Sequence, residues 1–89
     1  MHFESDRAKA ESNRRKHKVT FDEAVGVFYG ALSATFPDPD SPSTEQRLLT
    51  VGQSSQDRLL VVVHTEQDET IRLISARLAT AHERKRHEG

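Results

Sequence analysis

Apolar residues are unevenly spread along this chain. Residues 58–66 read "RLLVVVHTE", with five successive apolar positions. A run apolar on both faces predicts a central strand, covered on both sides or covered in part by a partner. Two more strand-like stretches flank it, "RLLTVGQ" at 47–53 and "TIRLISARL" at 70–78. The links between them, "SSQD" and "QDE", are short and polar, so the three strands should form an antiparallel meander.

Upstream the period changes. Phe21, Ala24, Val25 and Phe28 follow the i, i+3, i+4, i+7 spacing of a helix with one buried stripe, ending near residues 28–30. Thr20 and Glu23 in "TFDE" form a capping box before it, and Val19 can pack on Ala24. An earlier helix is predicted over 7–17, "RAKAESNRRKH", with Asp6 as its N-cap. Only Ala8 and Ala10 are apolar there, so it should lie on the surface. "HFES" fits a short edge strand with Phe3 inward. Three prolines bar a regular element across 37–43, although residues 31–36 can pair briefly at a sheet edge. A second capping box, Thr80 and Glu83 in "TAHE", opens a closing helix over 81–88 that has no apolar stripe. The expected fold is α+β in a single domain, residues 1–89. A small antiparallel sheet (a three-stranded meander plus a short N-terminal edge strand) carries two N-terminal helices and a short C-terminal helix.

Composition adds limits. Hydrophobic residues make up 34% of 89, with no Trp. So thin a core suggests a partner that covers apolar surface. The absence of cysteine excludes disulfides, cysteine zinc sites and a thiol nucleophile. No apolar run reaches the roughly 18–20 residues of a membrane span. "MHFESDRAKAES" does not read as a signal peptide, so a soluble cytoplasmic protein is expected. Net charge is −1, but residues 1–18 and 71–88 each carry +3 and residues 19–70 carry −7. If the two ends meet, they make one positive patch; the alternative is ordinary solvated charge.

The last strand carries candidate chemistry. Strict alternation puts Ile71, Leu73, Ser75 and Arg77 on one face and Arg72, Ile74, Ala76 and Leu78 on the other. The two arginines would then point opposite ways. On the central strand Leu60, Val62, His64 and Glu66 share a face. Arginine suits phosphate through its planar two-donor fork. Histidine can take or give a proton near neutral pH. RNA cleavage needs a base for the 2′-hydroxyl, an acid for the leaving oxygen and cations for the phosphorane, and no metal is obligatory. His82 and His87 are five apart, which does not match two ligands on one helical face. There is no Gly-rich phosphate loop and no G-x-S-x-G elbow. Taken alone, a strand arginine or a helix histidine is more often solvated surface. These features give a small α+β domain with a basic end.

Longer motifs go further. "NRRKHKVTFDEAVGVF", "EQRLLTVGQS", "LLVVVHTE" and "IRLISARLATAHERKRHE" resemble, in order and spacing, the motifs of the BrnT family of type II toxin–antitoxin toxins. The resemblance covers nearly the whole chain. It implies a RelE- and ParE-like fold and RNA cleavage that shuts down translation. It also implies neutralisation by a BrnA-like antitoxin with a ribbon-helix-helix DNA-binding domain, as a 2:2 complex that meets operator DNA only through the antitoxin. No cofactor, metal or membrane is implied. Carried onto this sequence, it singles out Arg77, Arg72, His17 and His64 as catalytic candidates. Lys16, Arg47, Ser75, Arg84 and His87 become RNA-binding candidates, with Glu83 mainly a helix cap. The chain departs from the family pattern at Ser5 (usually Trp), at Lys18 (usually Gly), at His87 (usually Tyr), and in lacking the "DP" that usually ends the second helix. A non-catalytic or degenerate binding module on the same fold is the alternative.

Overall fold

The chain folds around its apolar central strand. The structure, a computed structural model, describes residues 1–88. In chain order the elements are β1 (His2–Glu4), α1 (Arg7–His17), α2 (Phe21–Val27), β2 (Ala34–Pro37), β3 (Leu48–Gln53), β4 (Leu59–Gln67), β5 (Thr70–Leu78) and α3 (Ala81–Glu88). The meander β3–β4–β5 and all three helices lie within about one residue of their expected bounds, apart from the far end of α2.

The sheet is larger than expected and mixed rather than antiparallel. It has five strands in the order β1-β5-β4-β3-β2, and β1 runs parallel to β5. β1 reaches the far edge because Asp6 turns the chain straight into α1. The Asp6 carboxylate accepts from Ala8 N–H at 2.8 Å. β2 occupies the other edge, where Ala34–Pro37 pairs antiparallel with β3. A 2.8 Å hydrogen bond between Thr35 Oγ1 and Thr50 Oγ1 supports that pairing. Pro37, which has no N–H to donate, ends the strand.

β5 also breaks its own alternation. Val63 faces Ser75 and His64 faces Leu73, so Ile74 is an extra residue in a β-bulge. Past the bulge every side chain changes face. Ile71, Leu73 and Ala76 all join the main core, together with Val19, Phe21, Ala24, Val27, Leu60 and Val62. Each of the larger side chains, Val, Leu, Ile or Phe, contributes roughly 1.5–3 kcal/mol when fully buried. Arg72, Ser75 and Arg77 therefore share the opposite face, which corrects the expected separation of the two arginines.

Both α1 and α2 cover the same side of the sheet, and Ala10, Val25, Phe28 and Phe3 pack at the margin of that core. Val27, outside the expected stripe, is fully buried. Gly52 lets it approach: a Cβ there would lie 3.0 Å from Val27 Cγ1 and 2.9 Å from Ser33 Cβ. Asn13 of α1 is buried against the outer edge of β5 beyond β1. Its Oδ1 accepts from Ala76 N–H at 2.9 Å, and its Nδ2 donates to Ala76 O at 2.8 Å and Val19 O at 2.9 Å. One side-chain amide thus replaces a missing strand. Among the described residues no helix is long and apolar enough to cross a membrane.

Candidate active site

The most constrained cation on the face opposite α1 and α2 is Arg77, which pairs across the sheet with the fully buried Val61. α3 follows β5 after two residues, and its capping box is complete. Thr80 N–H donates to Glu83 Oε1 at 2.9 Å, and Glu83 N–H donates to Thr80 Oγ1 at 3.2 Å. The same Glu83 carboxylate takes the Arg77 guanidinium end-on, from Nη1 at 2.7 Å and Nη2 at 2.8 Å. These Arg77 hydrogen bonds, with lesser help from Thr80, pull the Glu83 carboxyl down to about 2 against the opposing effect of burial. Hydrogen bonding to Glu83 in turn raises Arg77 further above its ordinary value.

α3 buries no residue of its own. Glu83 and His87, four apart and so on one helical face, are its two half-buried residues. His87 therefore sits on the face that Glu83 turns toward Arg77. Lys16 and His17 come to the same end of the sheet. They close α1 just past the Asn13–Ala76 contact, and the next residue, Lys18, gives its carbonyl to Arg58 at the start of β4 (3.0 Å). α1 itself packs on the face opposite Arg77, and among the described residues no hydrogen bond or ion pair joins Lys16 or His17 to Arg77, Arg84 or His87.

Other expected site residues lie elsewhere. Arg72 is on the face of Arg77 but five strand residues away, roughly 15 Å. It lines a shallow cleft of about 230 Å³ with Glu4, Thr65, Gln67, Asp68 and Thr70. Arg47 braces the loop after β2. It donates to Asp40 O at 2.9 Å and stands 3.5 Å from the Asp38 carboxylate. Ser75 is half-buried on the same face as Arg77.

His64 is not at this site. It is fully buried on the helix-covered face, edge-on to Phe28 with ring centroids 4.9 Å apart. Its Nε2 shares a 2.7 Å hydrogen bond with Thr50 Oγ1, while Nδ1 has no hydrogen-bond partner among the described residues, the Glu66 carboxylate standing 3.8 Å off. Burial lowers the imidazole from 6.5 to about 4, so at neutral pH it is an uncharged core residue.

The box at Thr20 is only half formed. Glu23 N–H donates to Thr20 Oγ1 at 3.1 Å, but the Glu23 carboxylate turns away to Arg58 and to Ser54 Oγ (2.6 Å). Sequence reasoning missed this buried pair and the role of Asn13. It also undervalued Glu83, whose hold on Arg77 was readable only in part, from a strand-end arginine six residues before a capping glutamate.

With this geometry in view, the comparisons with known proteins decide the family. The family model for the ribonuclease toxin BrnT of type II toxin–antitoxin systems matches residues 6–83. The chain belongs to the BrnT family. The crystal structure of the Brucella abortus ribonuclease toxin BrnT is similar, with a TM-score of 0.70 and 22% identity over 90% of this chain and 97% of that one. At that identity the likeness speaks for a BrnT fold. No curated protein matches the sequence significantly. Membership makes this a ribonuclease toxin family chain, with an antitoxin as its implied partner.

Proposed function

We propose that this chain is a metal-independent endoribonuclease that cleaves RNA in the cytoplasm and so inhibits translation. A BrnA-like antitoxin with a ribbon-helix-helix domain would silence it in a 2:2 complex, and operator DNA would be met only through that antitoxin. The reaction would begin with attack of a 2′-oxygen on the adjacent phosphorus. The new O–P bond forms as the P–O5′ bond breaks. A base takes the 2′-hydroxyl proton and an acid returns one to O5′, leaving a 2′,3′-cyclic phosphate and a 5′-hydroxyl. Arg77 would meet the charge that builds on the phosphoryl oxygens. His87 and His17 are the proton-transfer candidates at that end of the sheet. Ser75, Arg84 and Lys16 would guide the strand, with Arg72 farther along the same face. His64 has no part in this scheme, and Arg47 is kept only as an outlying RNA contact.

The observation that carries the reading is Arg77 fixed beside the basic helix α3, on the face opposite α1 and α2. Inducing this chain in a bacterium should arrest growth. Arg77→Ala should abolish the arrest, with cleavage falling roughly 100-fold or more. Co-expression of the neighbouring gene should relieve it. Normal growth with soluble, folded wild-type protein would sink the proposal. The alternative, a binding module on the same fold, draws on the burial of His64 and on the engagement of Arg77 by Glu83. It expects normal growth together with a tight complex with the neighbouring gene product.

A further inference from the structure

A bidentate carboxylate on an arginine looks at first like an occupied site. Counting the donors changes that. A guanidinium has five N–H groups arranged in fixed directions. In Arg77 one Nη1–H and one Nη2–H go to Glu83, and Nη1 also approaches Leu78 O at 3.3 Å. The side edge, Nε–H with the second Nη2–H, has no partner among the described residues. Those two bonds are parallel and form a second fork that suits two oxygens of a phosphate. The side chain is 36% exposed, and it stands on the face opposite α1 and α2, beside α3. Glu83 cannot easily turn away, because Thr80 N–H holds the same oxygen that meets Arg77 Nη1. α3 has no apolar anchor, so this clamp sets where the Arg77 plane lies.

We infer that Glu83 is a positioning residue: it grips the end of the Arg77 guanidinium so that the free Nε–Nη2 edge is presented to one phosphodiester of single-stranded RNA. This rests on the nuclease reading above and adds a residue whose carboxylate touches no substrate. Losing the clamp should damage the reaction more than the binding, because an arginine free to rotate still attracts phosphate but no longer meets it in one orientation.

The test uses the full chain with a short RNA and, as an uncleavable probe, the same oligonucleotide carrying 2′-O-methyl groups. In wild type the Arg77 Nε–H resonance should shift as the probe is added. Glu83→Gln should lower kcat roughly 10–100-fold. KM should stay within about threefold, and the Arg77 shift should be lost. Arg77→Lys keeps the charge without the fork and should lower kcat as much. The double variant should be no slower than Arg77→Lys alone, as expected for residues that act as a unit. Glu11→Gln, which breaks an exposed pair with Arg14 on α1, is the control and should be silent. Wild-type cleavage by Glu83→Gln, or losses that multiply in the double variant, would overturn the inference. So would a fall in activity that only tracks a fall in melting temperature. If wild type binds the probe through Arg77 Nε–H but cleaves nothing, the nuclease reading fails and the positioned edge stands. If it cleaves without an Nε–H shift, the edge fails and the nuclease reading stands.

Discussion

Two four-residue stretches, "TFDE" and "TAHE", carry the same capping signature, yet their glutamates end in different surroundings. Glu23 is 5% exposed and leaves its cap to grip Arg58 and Ser54, tying the start of α2 to the β3–β4 turn. Glu83 keeps its cap and grips Arg77 at the rim of the sheet, where α3 adds no buried side chain. The carboxylate of the first clamp is enclosed by the fold, so losing it strands the buried Ser54 hydroxyl and frees a partly exposed Arg58. The second lies in partial contact with water, so losing it frees a helix that supports little else. The same Thr-x-x-Glu pattern thus serves stability at one end of the chain and presentation of a reactive group at the other.

That contrast should show first in stability. Glu23→Ala should cost about 2 kcal/mol, because a nearly buried carboxylate loses its hydrogen bonds to Ser54 and Arg58. Glu83→Ala should cost about 1 kcal/mol, the usual loss on removing a helix cap. Urea unfolding of the two variants measures both, and equal losses would erase the distinction. Acid is a second way to press on the clamps, because hydrogen bonding to arginine depresses both carboxyls. Each contributes stability above its unfolded value of 4.5 that is lost as pH falls. His64 blurs such a titration. Its folded value of about 4 lies below its ordinary 6.5, so the unfolded chain takes up the proton first. Its contribution is complete above pH 6.5 and drains away toward pH 4, by up to about 3 kcal/mol. His64→Leu should flatten unfolding free energy across that window and leave the fall below pH 4.5 to the carboxylates. A steep loss between pH 6.5 and 5 that persists in His64→Leu would show another group at work. The smallest effect concerns the residue beside the inner clamp. Lys18 has φ 59°, in the left-handed region, and its carbonyl holds Arg58. Lys18→Gly should stabilise the chain by about 0.5–1 kcal/mol, visible as a raised melting temperature, since glycine adopts that conformation without a Cβ penalty.

Much of the fold is legible in local pattern. The meander's turns come where polar residues interrupt apolar runs, and Asp57 and Asp68 take the left-handed conformation there. All three helix starts are readable because a cap is a contact between residues two or three apart. What escapes the sequence depends on distant partners. The parallel pairing of β1 with β5 joins residues nearly seventy apart. The turning away of Glu23 needs Arg58 to be in place. The face shared by Arg72 and Arg77 depends on an inserted residue that period-two counting cannot detect, because Ile74 suits a strand whether or not it is bulged. His64 shows the opposite failure. A histidine ending an apolar run reads as chemistry, but with Thr50 to share a hydrogen bond it behaves as part of the core.

The Asn13 amide has a consequence for how this protein keeps its own company. A sheet edge with bare N–H and C=O groups is a template on which other chains can add strands. β2 limits that risk by being four residues long and ending in a proline. β5 is more than twice as long, and β1 shields only its first three residues. By taking both backbone groups of Ala76, Asn13 interrupts the remainder of that edge at its middle, and α1 stands as a guard against filaments as well as a cover for the core.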